Sequence, residues 1–379
     1  MPCQIFAVSS KIYKFVSRNH KNRYIQTMRN TILAVIALCS AIALHAQTEI
    51  EPFVPGVTAD GVRYYLPRTA FRVVFTIEKT ETVPGRFSKY AYKYLHLQDV
   101  PTQPGTSYRI LRIELQPYGI PDKTKAYSVR LKPRTIAPMV TLTPDGILVG
   151  INADTTPETL PQLPSDQPAP APVDSRRYMT QEMLMATSNA KLAELVADEI
   201  YNIRDSRNAL VRGEADNTPK DGEQLQLMLS SLEAQETALC TMFSGQTLRS
   251  IHVSHMQLIP ETPADKTLLC RFSRRFGLVD SDDLSGEPIY LSITRADTMP
   301  DSVPEAAVRE KKHPQGIYCN VPVPATFTIY DATGQYTSAT FPVAQFGTSE
   351  LLSSALFDKN ATTSVTFHQS TGGVKEIRK

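Results

Sequence analysis

The chain has 379 residues, with 40 Lys and Arg against 38 Asp and Glu, a net charge of +2, and no Trp. Residues 1–46 hold six Lys/Arg and no Asp/Glu, so 34 basic and 38 acidic residues follow them, net −4. A balance this mildly acidic argues against nucleic acid or an anionic membrane as a general partner, and the length is ample for a large core.

Residues 1–46 read as an extended N-terminus plus a secretory signal peptide. Met28-Arg29-Asn30 is a short positive start, Thr31 to Leu44 is apolar, and small residues end at Ala46. The apolar run is too short for an ordinary membrane span. The expectation is a start at Met28, cleavage before Gln47, and a mature chain in the periplasm, outer-membrane-associated or secreted. A lipoprotein would need Cys39, but Leu38 before it is too large. No later run is long and apolar enough to span a membrane.

Residues 47–153 form the first β-rich domain. Phe71, Val73, Phe75 and Ile77 alternate with Arg72, Val74, Thr76 and Glu78, the pattern of a half-buried strand. Pro84-Gly85 breaks the chain, and Arg86 to Leu97 fits a short helix. Strand patterns return at Tyr108–Leu115, Tyr127–Leu131, Val140–Leu142 and Ile147–Ile151, with Pro144-Asp145-Gly146 as a turn. Residues 154–177 are a Pro-rich linker, punctuated by Pro157, Pro161, Pro164, Pro168, Pro170 and Pro172.

Residues 178–245 predict two antiparallel amphipathic helices. Leu192, Val196, Ile200, Ile203 and Leu210 share one face, as do Leu225, Met228, Leu232, Leu239 and Met242. Gly213 suits a left-handed C-cap. Thr218-Pro219 offers one N-terminus for the second helix and Asp221 with Gln224 another. Residues 246–379 form a second β-rich domain, closed by a hairpin around Thr371-Gly372-Gly373. The predicted fold is α+β: two antiparallel, sandwich-like β-rich regions bridged by a long helical hairpin.

Several stretches then stand out together: Tyr65-Leu66-Pro67-Arg68-Thr69, Pro84-Gly85-Arg86-Phe87-Ser88-Lys89-Tyr90-Ala91, Glu199-Ile200-Tyr201-Asn202-Ile203-Arg204-Asp205-Ser206-Arg207, Pro219-Lys220-Asp221-Gly222, Gln345-Phe346-Gly347 and Thr371-Gly372-Gly373. In combination they resemble a family of exported Bacteroidota proteins catalogued only as a domain of unknown function. The resemblance covers nearly the whole mature chain. It implies export and one common architecture, and supplies no reaction, cofactor or catalytic residue.

Motifs with chemical content are few. Ser188-Asn189-Ala190-Lys191 matches a Ser-x-x-Lys nucleophile pair, but Ser188 falls inside the predicted helix, so an exposed helix face is preferred. His252 and His255 point to opposite faces of a strand and cannot chelate together. Asp280 to Glu287 begins like a calcium loop, then places Leu284 and Gly286 where ligands belong, and Asp216 to Glu223 fails similarly. Arg271, Arg274 and Arg275 read as a charged strand edge. Of Cys240, Cys270 and Cys319, the pair Cys270–Cys319 is the candidate disulfide, against three reduced buried cysteines. Asp154-Thr155-Thr156, Asp297-Thr298-Met299 and Asp301-Ser302-Val303 look like bacterial O-glycan acceptors, with Thr155, Thr298 and Ser302 the modified residues. Tyr64, Tyr65, Tyr90, Tyr92 and Tyr94 are the candidate binding platform, since tyrosine offers a broad ring and a polar tip. No catalytic residue, metal site or cofactor is assigned. The expected function is a non-catalytic binding or structural module meeting an envelope protein or glycan. The rivals are a hydrolase with a dispersed site and a chaperone-like factor with an apolar groove beside Leu225 to Met242.

Overall fold

The computed structural model describes residues 49–52, 61–130, 140–216, 219, 221–296, 316–353 and 363–378. The export segment, Thr218, Thr298 and Ser302 lie outside them. The protein is α+β and mostly strand, and the named strands pair antiparallel throughout. The first sheet runs β1 (Glu49–Pro52), β3 (Gly105–Arg130), β2 (Val62–Val83), β6 (Gln246–Leu258). The second runs β11 (Gln335–Ser353), β10 (Gly316–Tyr330), β9 (Glu287–Arg295), β7 (Ala264–Ser273), β8 (Gly277–Val279). The third runs β13 (Val374–Arg378), β12 (Ser364–Phe367), β5 (Leu148–Ile151), β4 (Val140–Leu142).

These sheets cross the expected boundary between separate domains at 47–153 and 246–379. β6 pairs along β2 from Leu258 opposite Phe71 to Gln246 opposite Val83, and β12 pairs with β5. Alternation marks a strand with one buried face but carries no information on which strand supplies its hydrogen bonds. Phe71, Val73, Phe75 and Ile77 do point inward as their spacing predicts. They share a core with Ile289, Leu291 and Ile293 of β9 and with Ala325, Phe327 and Ile329 of β10. A second core, at the other end of the same long strands, joins Tyr64 and Leu66 of β2 to Ile151, Ile317, Val365 and Phe367.

A third core is helical. It is built from α1 (Ala91–Leu95), α2 (Gln181–Leu184), α3 (Asn189–Arg212) and α4 (Gly222–Ser244). Leu192, Val196, Ile200 and Ile203 pack with Phe87, Ala91, Leu239 and Phe243. Ser188 caps α3 by accepting from Lys191 N, and Gly213 ends it at φ 73°, a conformation glycine adopts without a Cβ clash. The second helix starts at the Asp221 option, whose carboxylate accepts from Glu223 N. Arg204 and Arg207 of α3 both reach Glu236 of α4, at 2.6 and 2.7 Å.

A buried polar junction lies between the two β cores. Asn320, 3% exposed, donates through Nδ2 to the carbonyls of Pro67 (2.9 Å) and Thr371 (2.8 Å). Its Oδ1 accepts from Ser349 Oγ, and its amide N donates to Gly372 O. Thr69 Oγ1 donates to Ser370 O and accepts from Ala344 N. Gln345 grips the Thr69 backbone from both sides and also donates to Pro260 O. A Cβ on Gly347 would run into the Val321 carbonyl, so only glycine lets the two chains approach here. Asn320→Ala strands two buried carbonyls, and the expected cost is about 2–4 kcal/mol, read as a lower denaturant midpoint; an unchanged midpoint would contradict the junction's role.

The Pro-rich linker is tied down as a strap. It crosses the outer edge of β6, where Gln167 and Ile251 exchange both backbone hydrogen bonds, at 2.8 and 2.9 Å. Asp166 Oδ1 accepts from Val253 N at 2.8 Å, and its Oδ2 lies 3.5 Å from His252 Nδ1. Gln246 bonds both backbone groups of Val173, and Arg72 bonds Pro161 O. Prolines carry no N–H and cannot extend the ladder, so the strap guards the edge without becoming a strand. The Val253 N–H, and then His252, hold the Asp166 carboxyl below its usual range. A depressed carboxylate stabilises above the ordinary carboxylate pKa, and its grip is lost as pH falls through the lowered value. Hydrogen exchange, corrected for intrinsic rate, should show Val253 losing protection on acidification and, at neutral pH, in Asp166→Ala. Unchanged protection in that variant would refute the anchor.

Candidate binding surface on the helical layer

The five candidate tyrosines do not form one platform. Tyr64 is fully buried. Its ring stacks on Tyr127, which stacks on Tyr318 at 4.4 Å, and its hydroxyl accepts from Tyr318 N at 3.0 Å. Burial drives its phenol above the ordinary range. Tyr65 is half-buried, its amide N donating to Gly146 O. Tyr90 and Tyr94 pack on the helical core, and Tyr92 is 63% exposed. Neighbours on a strand face opposite sides, and a short helix fans its residues at about 100° per step, so proximity in sequence did not become a shared surface.

Other candidates resolve individually. Cys240, Cys270 and Cys319 are all free. Cys270 sits in the first core and Cys319 in the second, so the candidate pair is not formed. Burial pushes the Cys270 thiol up to about 12 and raises that of Cys319, the opposite of a reactive thiolate. The Thr155 hydroxyl is enclosed, which bars glycan attachment to it in the folded chain. His252 engages Ser250 and Asp166 rather than a second histidine. At the Asp280–Glu287 turn, Arg271 donates to the carbonyls of Ser281 and Gly286, and Asp283 accepts from Ser285 N. Among the described residues no three His, Cys, Asp or Glu side chains gather at metal-binding distance.

Ser188 begins its helix, where the sequence placed it inside one. The Ser-x-x-Lys pair still lacks a base. Ser188 Oγ accepts from the Lys191 amide, and Lys191 Nζ lies 3.0 Å from Glu194, which keeps it cationic with a raised pKa.

Two open grooves bear on function. One, of about 490 Å³, is lined by Cys319, Glu350, His368, Ser370 and Thr371 beside the β12–β13 turn. It collects a nucleophile, an imidazole and an acid. Hydrogen bonds join none of these side chains to another among the described residues; Cys319 Sγ instead contacts Glu350 O at 3.7 Å. A nucleophile, its base and the base's orienting acid need such links to act together.

The other groove, of about 870 Å³, lies between α2 and α3. Met183, Met185, Ala186 and Leu195 give it an apolar lining, and Glu182, Asp198 and Glu199 give it carboxylates. Met185 is 71% and its neighbour Leu184 65% exposed. Further out, Val211, Leu227 and Met228 are also exposed, so the α4 stripe read from sequence is buried only in its C-terminal half. The missed signal for this groove is that Lys191, Leu195, Asp198 and Asn202 recur at helical spacing beside the core stripe.

No helix of the described residues is long and apolar enough to cross a membrane. No curated protein and no solved structure matches the chain. Residues 60–375 match the model of a family described as a domain of unknown function, DUF4831, and the chain belongs to that family.

Proposed function

We propose that this is an exported, non-catalytic binding module of the bacterial cell envelope whose helical layer receives a protein partner. Export rests on the apolar run Thr31–Leu44 behind Met28-Arg29-Asn30 and on the small residues ending at Ala46; the exported Bacteroidota affiliation rests on the stretches that carry the resemblance. One observation carries the binding reading. The helical layer buries one side against its own core and leaves Leu184, Met185, Tyr201, Val211, Leu227 and Met228 exposed on the rest. The exposed apolar residues fall in adjoining pairs, Leu184 with Met185 and Leu227 with Met228, and exposed apolar surface rimmed by polar residues marks interaction sites. Dispersal of the tyrosines, with no Trp in the chain, favours a protein over a glycan. Modification at Thr298 and Ser302 remains part of the proposal; intact mass from the native cell without added sugar would remove it.

The test is capture of partners from the producing cell's envelope with tagged protein, followed by crosslinking. Leu184→Asp with Met185→Asp, or Leu227→Asp with Met228→Asp, should abolish capture in at least one pair. Exposed substitutions of this kind should shift stability by no more than about 0.5 kcal/mol, checked by thermal melts. Capture that survives both pairs would contradict the reading. The hydrolase alternative rests on the groove holding His368, Glu350 and Ser370. Turnover on a hydrolase substrate panel, lost in His368→Ala, would replace the binding reading with that one.

A further inference from the structure

We infer that the α2–α3 groove is built for a basic amphipathic helix of a partner protein. This rests on the binding reading above and names the chemistry of the partner. The groove follows α3 from Lys191 to Asn202, a path of about 16 Å at 1.5 Å rise per residue. That matches about three turns of a second helix. Its accessible apolar lining is supplied by Met185, 71% exposed, and half-buried Leu195, over Met183 of the helical core. Methionine is unbranched and polarizable, and moulds to varied apolar side chains.

Charge selects the sign of the partner. Glu182, Asp198 and Glu199 face the groove with Lys191 as the single cation, a net of −2 among the lining residues. Lys191 is held by Glu194, so it does not neutralise the others by direct pairing. An anionic lipid surface or a nucleic acid is repelled by such a lining. A helix with Lys or Arg flanking an apolar stripe satisfies both features at once, apolar side chains on Met185 and Leu195 and cations on the carboxylates. Strand addition is not the mode here. Neither wall is a sheet edge: one is α3, whose backbone groups bond internally, and the other is the single turn of α2 with the 185–187 connection, so recognition falls to side chains.

The probe is a pair of acetylated peptides of about 14 residues, one of Leu and Lys in amphipathic order and one of Leu and Glu in the same order. Binding to the full-length protein is followed by fluorescence anisotropy. The Leu/Lys peptide should bind at least about tenfold tighter than the Leu/Glu peptide, and should weaken as salt rises from about 0.1 M to about 0.5 M. Glu182→Lys with Asp198→Lys should remove or reverse that preference, while Leu284→Asp, on the exposed 280–287 turn outside the helical layer, should leave it unchanged. Should the reversed variant fail to fold, Glu182→Gln with Asp198→Asn should narrow the preference instead. Equal binding of both peptides, or a preference untouched by the charge variants, would overturn the assignment. Absence of peptide binding alongside retained envelope capture would overturn the basic-helix chemistry alone and leave the binding reading standing.

Discussion

The fold depends on a few buried polar side chains at the meeting point of its sheets. Asn320, Thr69 and Gln345 are each bonded to backbone groups far away in sequence. A buried amide costs free energy unless its donors and acceptors are all engaged. Here the partners lie on β2, β11, the β6–β7 connection and the β12–β13 turn, so only one arrangement of the sheets satisfies them. Apolar packing drives the strands together, yet it would tolerate slippage of one long strand along another. The junction fixes their relative position, because a shift of one residue would strand several carbonyls at once.

That fixed frame explains how the rest is carried. β2 and β10 pass through both β cores, so sheets drawn from both halves of the chain hold together. The helical layer attaches through Phe87, whose amide N donates to Met242 O, and through the strap, where Ser175 Oγ donates to Ala238 O. Its inner face is committed to those attachments and its outer face is not. The frame positions the helices, and the exposed side chains of α2, α3 and α4 are where a partner gains apolar contact without disturbing it.

Much of this was legible one element at a time. The Leu192–Ile203 stripe, the Phe71–Ile77 alternation, the Pro144-Asp145-Gly146 turn and the Gly213 cap each follow from local periodicity or backbone chemistry, and each stands where it was read. What was illegible is whatever depends on distant partners. Alternation in β6 gave no hint that it pairs with β2. Six prolines marked a Pro-rich linker but gave no sign that Asp166 and Gln167 tether it to an edge. The tyrosines did not gather, because Tyr64 lies in the second β core, Tyr90 and Tyr94 pack on the helical core, and Tyr92 is exposed. The stretches that carried the family resemblance make sense only in three dimensions. Tyr65–Thr69, Gln345–Gly347 and Thr371–Gly373 meet at the polar junction. Pro84–Ala91 and Glu199–Arg207 meet in the helical layer.

The assignment of function turns on which face a partner touches. Hydrogen exchange of the protein, free and then loaded with the partner recovered from the envelope, locates that face directly. New protection over residues 181–202, with the β12–β13 turn at 368–373 unchanged, is the expected pattern. Protection confined to the β12–β13 turn and its groove, with the helical layer exchanging as before, would contradict it.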